Sequence, residues 1–323
     1  MKIRHYILLS LFVVATTILL AQLPTKALAG VGTPNATSLT KLAISNTPPE
    51  VLNVSINDGA DVTLTPNATT SVACKVVVVD YDSEADLSSV NATFYDSSLS
   101  FDTDTDDNNT HYTNSSCSLN LSYGTYNGYA DDAYRALATC TFQVQYYANA
   151  GPWTCNASVF DGQGGSGRGS NQQNISELLA LGLPDTMDFG VVNATSVSGE
   201  NQTNVTNYGN TLINLSLSGY AVSQGDGNAM NCSQGSVGNI SIEHEKYNLT
   251  NSNPGTQTLA QANANYTNLS STATVRFFNL TWKQNDAGPD VSKPSYWRIY
   301  LPKGVAGNCT GNIVFGATTA PAA

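Results

Sequence analysis

The stretch WTCNASVFDG, Trp153 to Gly162, puts Cys155, Ala157 and Val159 on one parity and Asn156 and Ser158 on the other. Successive side chains of a β-strand point to opposite faces. Read as a strand, it turns a cysteine and two apolar residues toward a core and an Asn-Ala-Ser sugar-acceptor triplet toward solvent. The same alternation recurs in VLNVSI (51–56), VACKVVVVD (72–80), VNATF (90–94) and CTFQVQYY (140–147), with Asp, Gly, Pro and Asn clusters between the runs. Short alternating runs separated by turn residues predict antiparallel sandwiches.

The second half repeats the pattern in MDFGVV (187–192), NVTNYGNTLINLSLSGY (204–220), NISIEH (239–244), ATVRFFNLTW (273–282), YWRIYLP (296–302) and CTGNIVFGA (309–317). ISELLALG (175–182) is the only candidate helix. The expected fold class is therefore all-β: two tandem immunoglobulin-like antiparallel β-sandwich domains joined by a Gly/Ser-rich linker. The expected boundaries are a signal peptide at 1–29, a polar arm at 30–48, a first sandwich at 49–162, a linker at 163–182, a second sandwich at 183–319 and a tail at 320–323. Within the arm, TSLTKLAISN (37–46) is expected to form a strand of the first sandwich, with strand exchange into a neighbouring subunit as the other reading. GQGGSGRGSNQQN (162–174) reads as flexible because of its Gly and Ser content. Its Gly162-x-Gly164-x-x-Gly167 matches a dinucleotide fingerprint only formally, since no helical pattern follows it.

The chain opens with Lys2 and Arg4, an apolar run and then Ala27-Leu28-Ala29, the layout of a cleaved secretory signal. No later run is long and apolar enough for a span, so no transmembrane anchor is expected after cleavage. Loss of Lys2, Arg4 and Lys26 takes the net charge from −11 to about −14, which argues against nucleic acid or an anionic membrane as partner.

Six cysteines in an exported chain read as a disulfide framework with fifteen possible pairings. The set Cys74 with Cys155, Cys117 with Cys140 and Cys232 with Cys309 keeps each bridge inside one domain. In an immunoglobulin-type sandwich, a strand B cysteine bridges to strand F and an aromatic stands two residues before the second cysteine. Cys74 and Cys155 suit those places, with Trp153 in that of the corner tyrosine. No tryptophan marks strand C, and Phe94 is the substitute.

PPEVLNVSIND, VACKVVVVDYD, GPWTCNASVFDGQG, DFGVVN, VTNYGNTLINLSLSGY and YWRIYLPKGVAGNCTGNIVFGA together resemble secreted immunoglobulin-like two-domain proteins of archaeal cell surfaces. That resemblance implies a fold and a location but no reaction. The DFG and NYGN elements of the second half are also similar to secreted fibre and matrix subunits, which implies assembly.

Asn-x-Ser/Thr begins at twenty positions, against roughly seven by chance placement. Alternation alone brings Asn and Ser or Thr together on a solvent face, but it does not explain triplets outside strands. The candidate glycosylation sites are Asn53, Asn91, Asn108, Asn114, Asn156, Asn201, Asn204, Asn214, Asn239 and Asn279.

Catalytic material is sparse. Beyond the signal only His111 and His244 remain, which leaves little for a Ser-His-Asp arrangement. Glu243 and Glu245 would share a strand face as a carboxylate pair. FDTDTDDNNTHY carries Asp102, Asp104, Asp106 and Asp107, and DYDSEAD carries Asp80, Asp82, Glu84 and Asp86; these are read as solvated acidic loops, with calcium as the rival reading. No metal ligand and no cofactor is assigned.

YGTYNGYADDAY gathers Tyr123, Tyr126, Tyr129 and Tyr134 in a loop between Cys117 and Cys140, a candidate contact surface; the rival is a hairpin whose tyrosines pack on their own sheet. Trp282 and Trp297 are expected in core strands. The functional expectation is a secreted, non-enzymatic cell-surface structural glycoprotein. The alternative is an adhesion or glycan-binding module acting through the aromatic loop. The expected partners are other surface proteins, copies of itself or glycans.

Overall fold

The computed structural model describes residues 38–99 and 105–319. The signal peptide, the Asn35 triplet, Asp102, Asp104 and the tail lie outside the described residues. The chain divides into two compact units, Met1–Ser45 and Asn46–Ala323. In the first, residues 38–45 form no strand, contrary to expectation, and leave Leu39, Leu42 and Ile44 exposed.

In the second unit the chain is almost wholly β. One sheet has the order β1 (Glu50–Ile56), β2 (Thr69–Val79), β8 (Arg135–Gln145), β5 (Ser118–Asn120). Its partner has the order β10 (Ser166–Ile175), β9 (Gly151–Asp161), β3 (Leu87–Asp96), β4 (His111–Asn114). If these strands are lettered along the chain, the orders are A-B-E-D and G-F-C-C′, those of an immunoglobulin sandwich. A two-stranded hairpin, β6 (Thr125–Tyr126) with β7 (Tyr129–Ala130), lies between β5 and β8 in sequence.

The strands form because their apolar residues recur at every second position. In β9, Trp153, Cys155, Ala157 and Val159 are buried, while Asn156 and Ser158 between them are not. The core they enter contains Val76, Val78, Phe94, Ala138, Phe142 and Val144. The Cys74–Cys155 bridge spans it from β2 to β9, with Cα atoms 6.6 Å apart. Cys117–Cys140 fastens the start of the edge strand β5 to β8, and Cys74 lies opposite Cys140 in register.

Trp153 is fully buried against Phe94 and Tyr112, at ring distances of 4.8 and 5.9 Å. Its Nε1–H donates to the carbonyl of Asn149, four residues upstream, at 2.8 Å. A tyrosine corner makes the same kind of backward bond to the backbone. Phe94 sits opposite Cys155 in register and fills the place of the missing strand C tryptophan.

The run expected to be a flexible linker is largely the strand β10, paired with β9 from Ser166 to Ile175. Its glycines serve close packing. A Cβ on Gly167 would meet the Pro49 carbonyl at 2.1 Å, and one on Gly169 would meet Val51 at 2.5 Å, so these positions let β1 approach β10 where any side chain would hold it off.

The second half builds a sheet of β11 (Leu181–Gly182), β12 (Asn201–Asn207), β19 (Ser292–Ile299), β16 (Glu245–Asn248) and β17 (Thr267–Asn268). It also contains β18 (Thr274–Leu280), β13 (Ile213–Tyr220) and β21 (Asn312–Thr319), in that spatial order. Trp297 centres their shared core, with the Tyr247 and Phe315 rings tilted against it at 5.5 and 5.4 Å. A third sheet joins β15 (Asn239–Ser241), β14 (Asn228–Gly235) and β20 (Val305–Thr310), with Cys232 bonded to Cys309 across paired strands.

Three expectations give way here. MDFGVV is no strand: Gly190 takes a φ of 68°, Met187 and Phe189 pack on the core, and Val191 is fully exposed. ISELLALG is not helical, and the α-helix among the described residues is α1 (Leu259–Asn265), started by a capping box of Thr258 and Gln261. Trp282 lies beyond β18, half-buried, and donates to Asn149 Oδ1 at 3.3 Å.

Between the halves, Asn210 is buried and bonds the carbonyls of Ala148 and Ser176 and the Leu178 N–H. Tyr147 donates to Asp286, and Tyr146 donates to Asp290 at 2.5 Å. Such directional bonds fix two sheets against one another where a Gly/Ser tether would not.

Trp153→Phe keeps an aromatic ring but loses the bond to Asn149 and is expected to cost about 1–2 kcal/mol; Trp153→Ala should cost about 3–5 kcal/mol. Guanidinium unfolding with the disulfides intact measures both.

Candidate functional site

The four loop tyrosines sit on or beside the β6–β7 hairpin. Asn127 and Gly128 turn it, with φ of 47° and 83° as a type I′ turn requires. The hairpin lies over its own β1–β2 sheet. Tyr126 donates to Asp58 Oδ1 at 2.8 Å and lies under the Lys75 ammonium, which itself pairs with Asp58 at 2.7 Å. Tyr129 donates to the Leu52 carbonyl and Tyr123 to the Ala130 carbonyl, both at 3.3 Å. Tyr134 is the one of the four that is mainly exposed. Three of the hydroxyls are thus engaged inside the chain.

Nineteen of the twenty acceptor triplets begin at described residues, and among these only Asn214 is buried. Its Oδ1 accepts from the N–H groups of Phe278 and Asn279, at 2.8 and 3.0 Å, where the β13–β18 register shifts. Its Nδ2 is buried without a partner. The expectation of a glycan at Asn214 is therefore corrected: this amide plugs a bulge in the ladder and has no path to solvent. The other described triplets begin at asparagines that are half-buried or exposed. Asn156, Asn53 and Asn91 stand on outward positions of β9, β1 and β3, and Asn204, Asn239 and Asn279 are exposed. Asn114 and Asn201 donate to the carbonyls of Thr141 and Asp188, and Asn108 to Asp286. A glycosylated amide keeps one N–H, so a single such bond is compatible with a sugar.

The candidate catalytic groups do not converge. His111 Nδ1 meets Asp106 Oδ1 at 2.9 Å in a buried position, and the His244 ring packs on Tyr300. Among the described residues neither imidazole bonds a serine. Asp106 and Asp107 cap the turn before β4. Burial alone would raise the Asp107 carboxyl, but bonds from Thr110, Asn109 and His111 outweigh it and hold the group below the usual carboxylate range. Glu243 is exposed on a 3₁₀ turn while Glu245 is buried at the start of β16, so they do not share a face.

Glu245 lines a cavity of about 320 Å³ with Thr203, Asp185, Phe189 and Ile313. Burial lifts its carboxyl to about 8, and Oε2 lacks a hydrogen-bond partner. A group so raised is neutral in the folded chain at pH 7, and Asp185 is the other carboxylate in this cavity's lining.

The DYDSEAD run separates into distinct roles. Asp82 accepts the Thr47 N–H at 2.7 Å, while Asp80 and Asp86 turn toward Asp161, a residue outside both acidic runs.

No family model matches the chain, and no curated protein matches it significantly. Among solved structures, the chain is similar to a carbohydrate-binding module of the β-sandwich superfamily, at 9% identity over 85% of this chain and 99% of that one, TM-score 0.24. It is similar also to a chain of a chaperone–tip adhesin complex of CFA/I fimbriae, at 13% identity over 83% and 81%, TM-score 0.30. A third is the C-terminal domain of a Streptococcus agalactiae AgI/II polypeptide, at 13% identity over 84% and 100%, TM-score 0.20. An archaeal source finds no support among them.

Because the folded pKa of Glu245 lies above its unfolded value, the folded chain binds more protons between about pH 4.5 and 8. Stability should fall as pH rises through that window, by on the order of 5 kcal/mol in total. Glu245→Gln should flatten this part of a stability–pH profile measured by thermal melting.

Proposed function

We propose that the chain is a secreted, non-enzymatic structural glycoprotein of the cell surface, stapled inside by disulfides and coated outside by glycans. The observation that carries this reading is the placement of the acceptor triplets: of the nineteen described, all but Asn214 begin at an asparagine at least partly open to solvent. Three bridges suit an oxidising compartment. Sugars on outward strand positions would shield sheet edges from pairing with other chains and keep a chain with only 11% charged residues soluble. Its partners in this reading are other surface proteins or further copies of itself. Among the described residues no helix is long and apolar enough to cross a membrane; in this reading such contacts retain the protein at the surface.

Glycopeptide mass spectrometry of the natively secreted protein is expected to find sugars at Asn156, Asn204 and Asn239 and none at Asn214. Electron microscopy of cells and extracts should show the protein in an ordered assembly. An unmodified monomer that washes freely from cells would overturn the proposal.

A further inference from the structure

Where β9 ends and β10 begins, three carboxylates converge. Asp80 follows β2, Asp86 closes the 3₁₀ turn before β3, and Asp161 ends β9; one oxygen from each lies within 4.8 Å of the others. Asp80 and Asp161 are buried, Asp80 completely. Like charges this close repel one another, and burial adds the cost of desolvation.

Hydrogen bonds account for part of the set. Asp161 Oδ1 accepts from the N–H groups of Gln163 and Gly165, at 2.9 and 2.7 Å. Asp80 Oδ1 accepts from the Asp82 N–H, and Asp86 Oδ2 from Gln163 Nε2. Asp80 Oδ2 is left buried with no donor. A second buried oxygen without a donor comes from outside the acidic set: the Asn46 side chain gives its Nδ2–H to Asp161 Oδ2 at 2.7 Å, while its own Oδ1 is unpartnered. Asp80 Oδ2 is an orphaned oxygen among converging carboxylates, and Asn46, hydrogen-bonded to one of them, carries an orphaned amide oxygen; both are acceptors that lack a positive centre.

The turn is shaped around this point. A Cβ on Gly165 would lie 2.2 Å from Asp161 Oδ2 and 3.1 Å from Asn46 Nδ2, and one on Gly162 would lie 3.0 Å from Asp86 Oδ1. The glycines of DGQGG thus keep the space beside the carboxylates free of side chains.

We propose that Asp80, Asp86, Asp161 and Asn46 form a Ca²⁺ site that ties the segment before β1 to the β9–β10 turn and the β2–β3 connection. The donors are all oxygen, which selects a hard cation over zinc or copper. Two ligands of one Ca²⁺ at about 2.4 Å each stand at most about 4.8 Å apart, and the carboxylate oxygens meet that limit. Water would complete the shell. The ion offsets the repulsion among the carboxylates and gives the orphaned oxygens a partner. The site is structural, and it stands or falls independently of the glycan reading.

The test is calorimetry and thermal melting of the full secreted chain, disulfides intact, after stripping with EDTA. Ca²⁺ should bind with a dissociation constant at or below about 1 mM, in the range of extracellular calcium modules. At about a hundredfold excess over that constant it should raise the melting midpoint by roughly 5 °C. Asp80→Asn and Asp161→Asn should abolish the Ca²⁺-dependent rise. Asn46→Ala, which leaves every strand intact, should weaken binding about tenfold, and Asp58→Asn, on a carboxylate elsewhere, should leave the response unchanged. Equal midpoints in Ca²⁺ and EDTA would overturn the site and point to a proton shared among the carboxylates. An equal rise with Mg²⁺, or one that survives in Asp161→Asn, would overturn the assignment of ion or of ligands.

Discussion

The first sandwich depends on one packed contact, Trp153 seated on Phe94 beside the Cys74–Cys155 bridge. The bridge joins the sheets covalently, and the indole fills the space around it while its N–H is satisfied by Asn149. Cys140 lies opposite Cys74 in register, so the second bridge starts from the same point of β2 and β8. β9, which carries both Trp153 and Cys155, leads at its far end into Asp161 and the turn to β10. The parity that buries the cysteine also turns Asn156 outward, so the inward staple and the outward glycan acceptor follow from one strand geometry.

Asn149 extends this to the rest of the unit. Its carbonyl accepts from Trp153 and its Oδ1 from Trp282. With Asn210 bonding the carbonyls of Ala148 and Ser176, and Tyr146 and Tyr147 donating to Asp290 and Asp286, the halves meet through oriented polar contacts. Such contacts hold position more than they contribute affinity, which suits a part that must keep its shape.

The candidate sites were readable only in part. The outward asparagines followed from alternation, and Asn214 escaped because its neighbours alternate as well: nothing near it in sequence announces a register shift opposite Phe278 and Asn279. The tyrosine-rich loop was visible, but not its fold-back onto Asp58 and Leu52, residues some seventy positions away. DYDSEAD supplied Asp80 and Asp86, whereas Asn46 precedes β1 and Asp161 ends β9, far from that run in sequence on either side. A sharper signal was available in DGQGG, where Asp161 stands just before glycines that a plain flexible tether would not have to place.

Residue parity alone was enough for the all-β class, the inward cysteines and most of the outward acceptors, because alternation acts between adjacent residues and needs no knowledge of partners. The glycines of β10, the loss of MDFGVV as a strand, the burial of Asn214 and Glu245 and the meeting of Asp80, Asp86 and Asp161 were decided by the tertiary structure. Each depends on what another strand brings within a few ångströms, and that distance is set by sheet pairing and close packing across the whole chain.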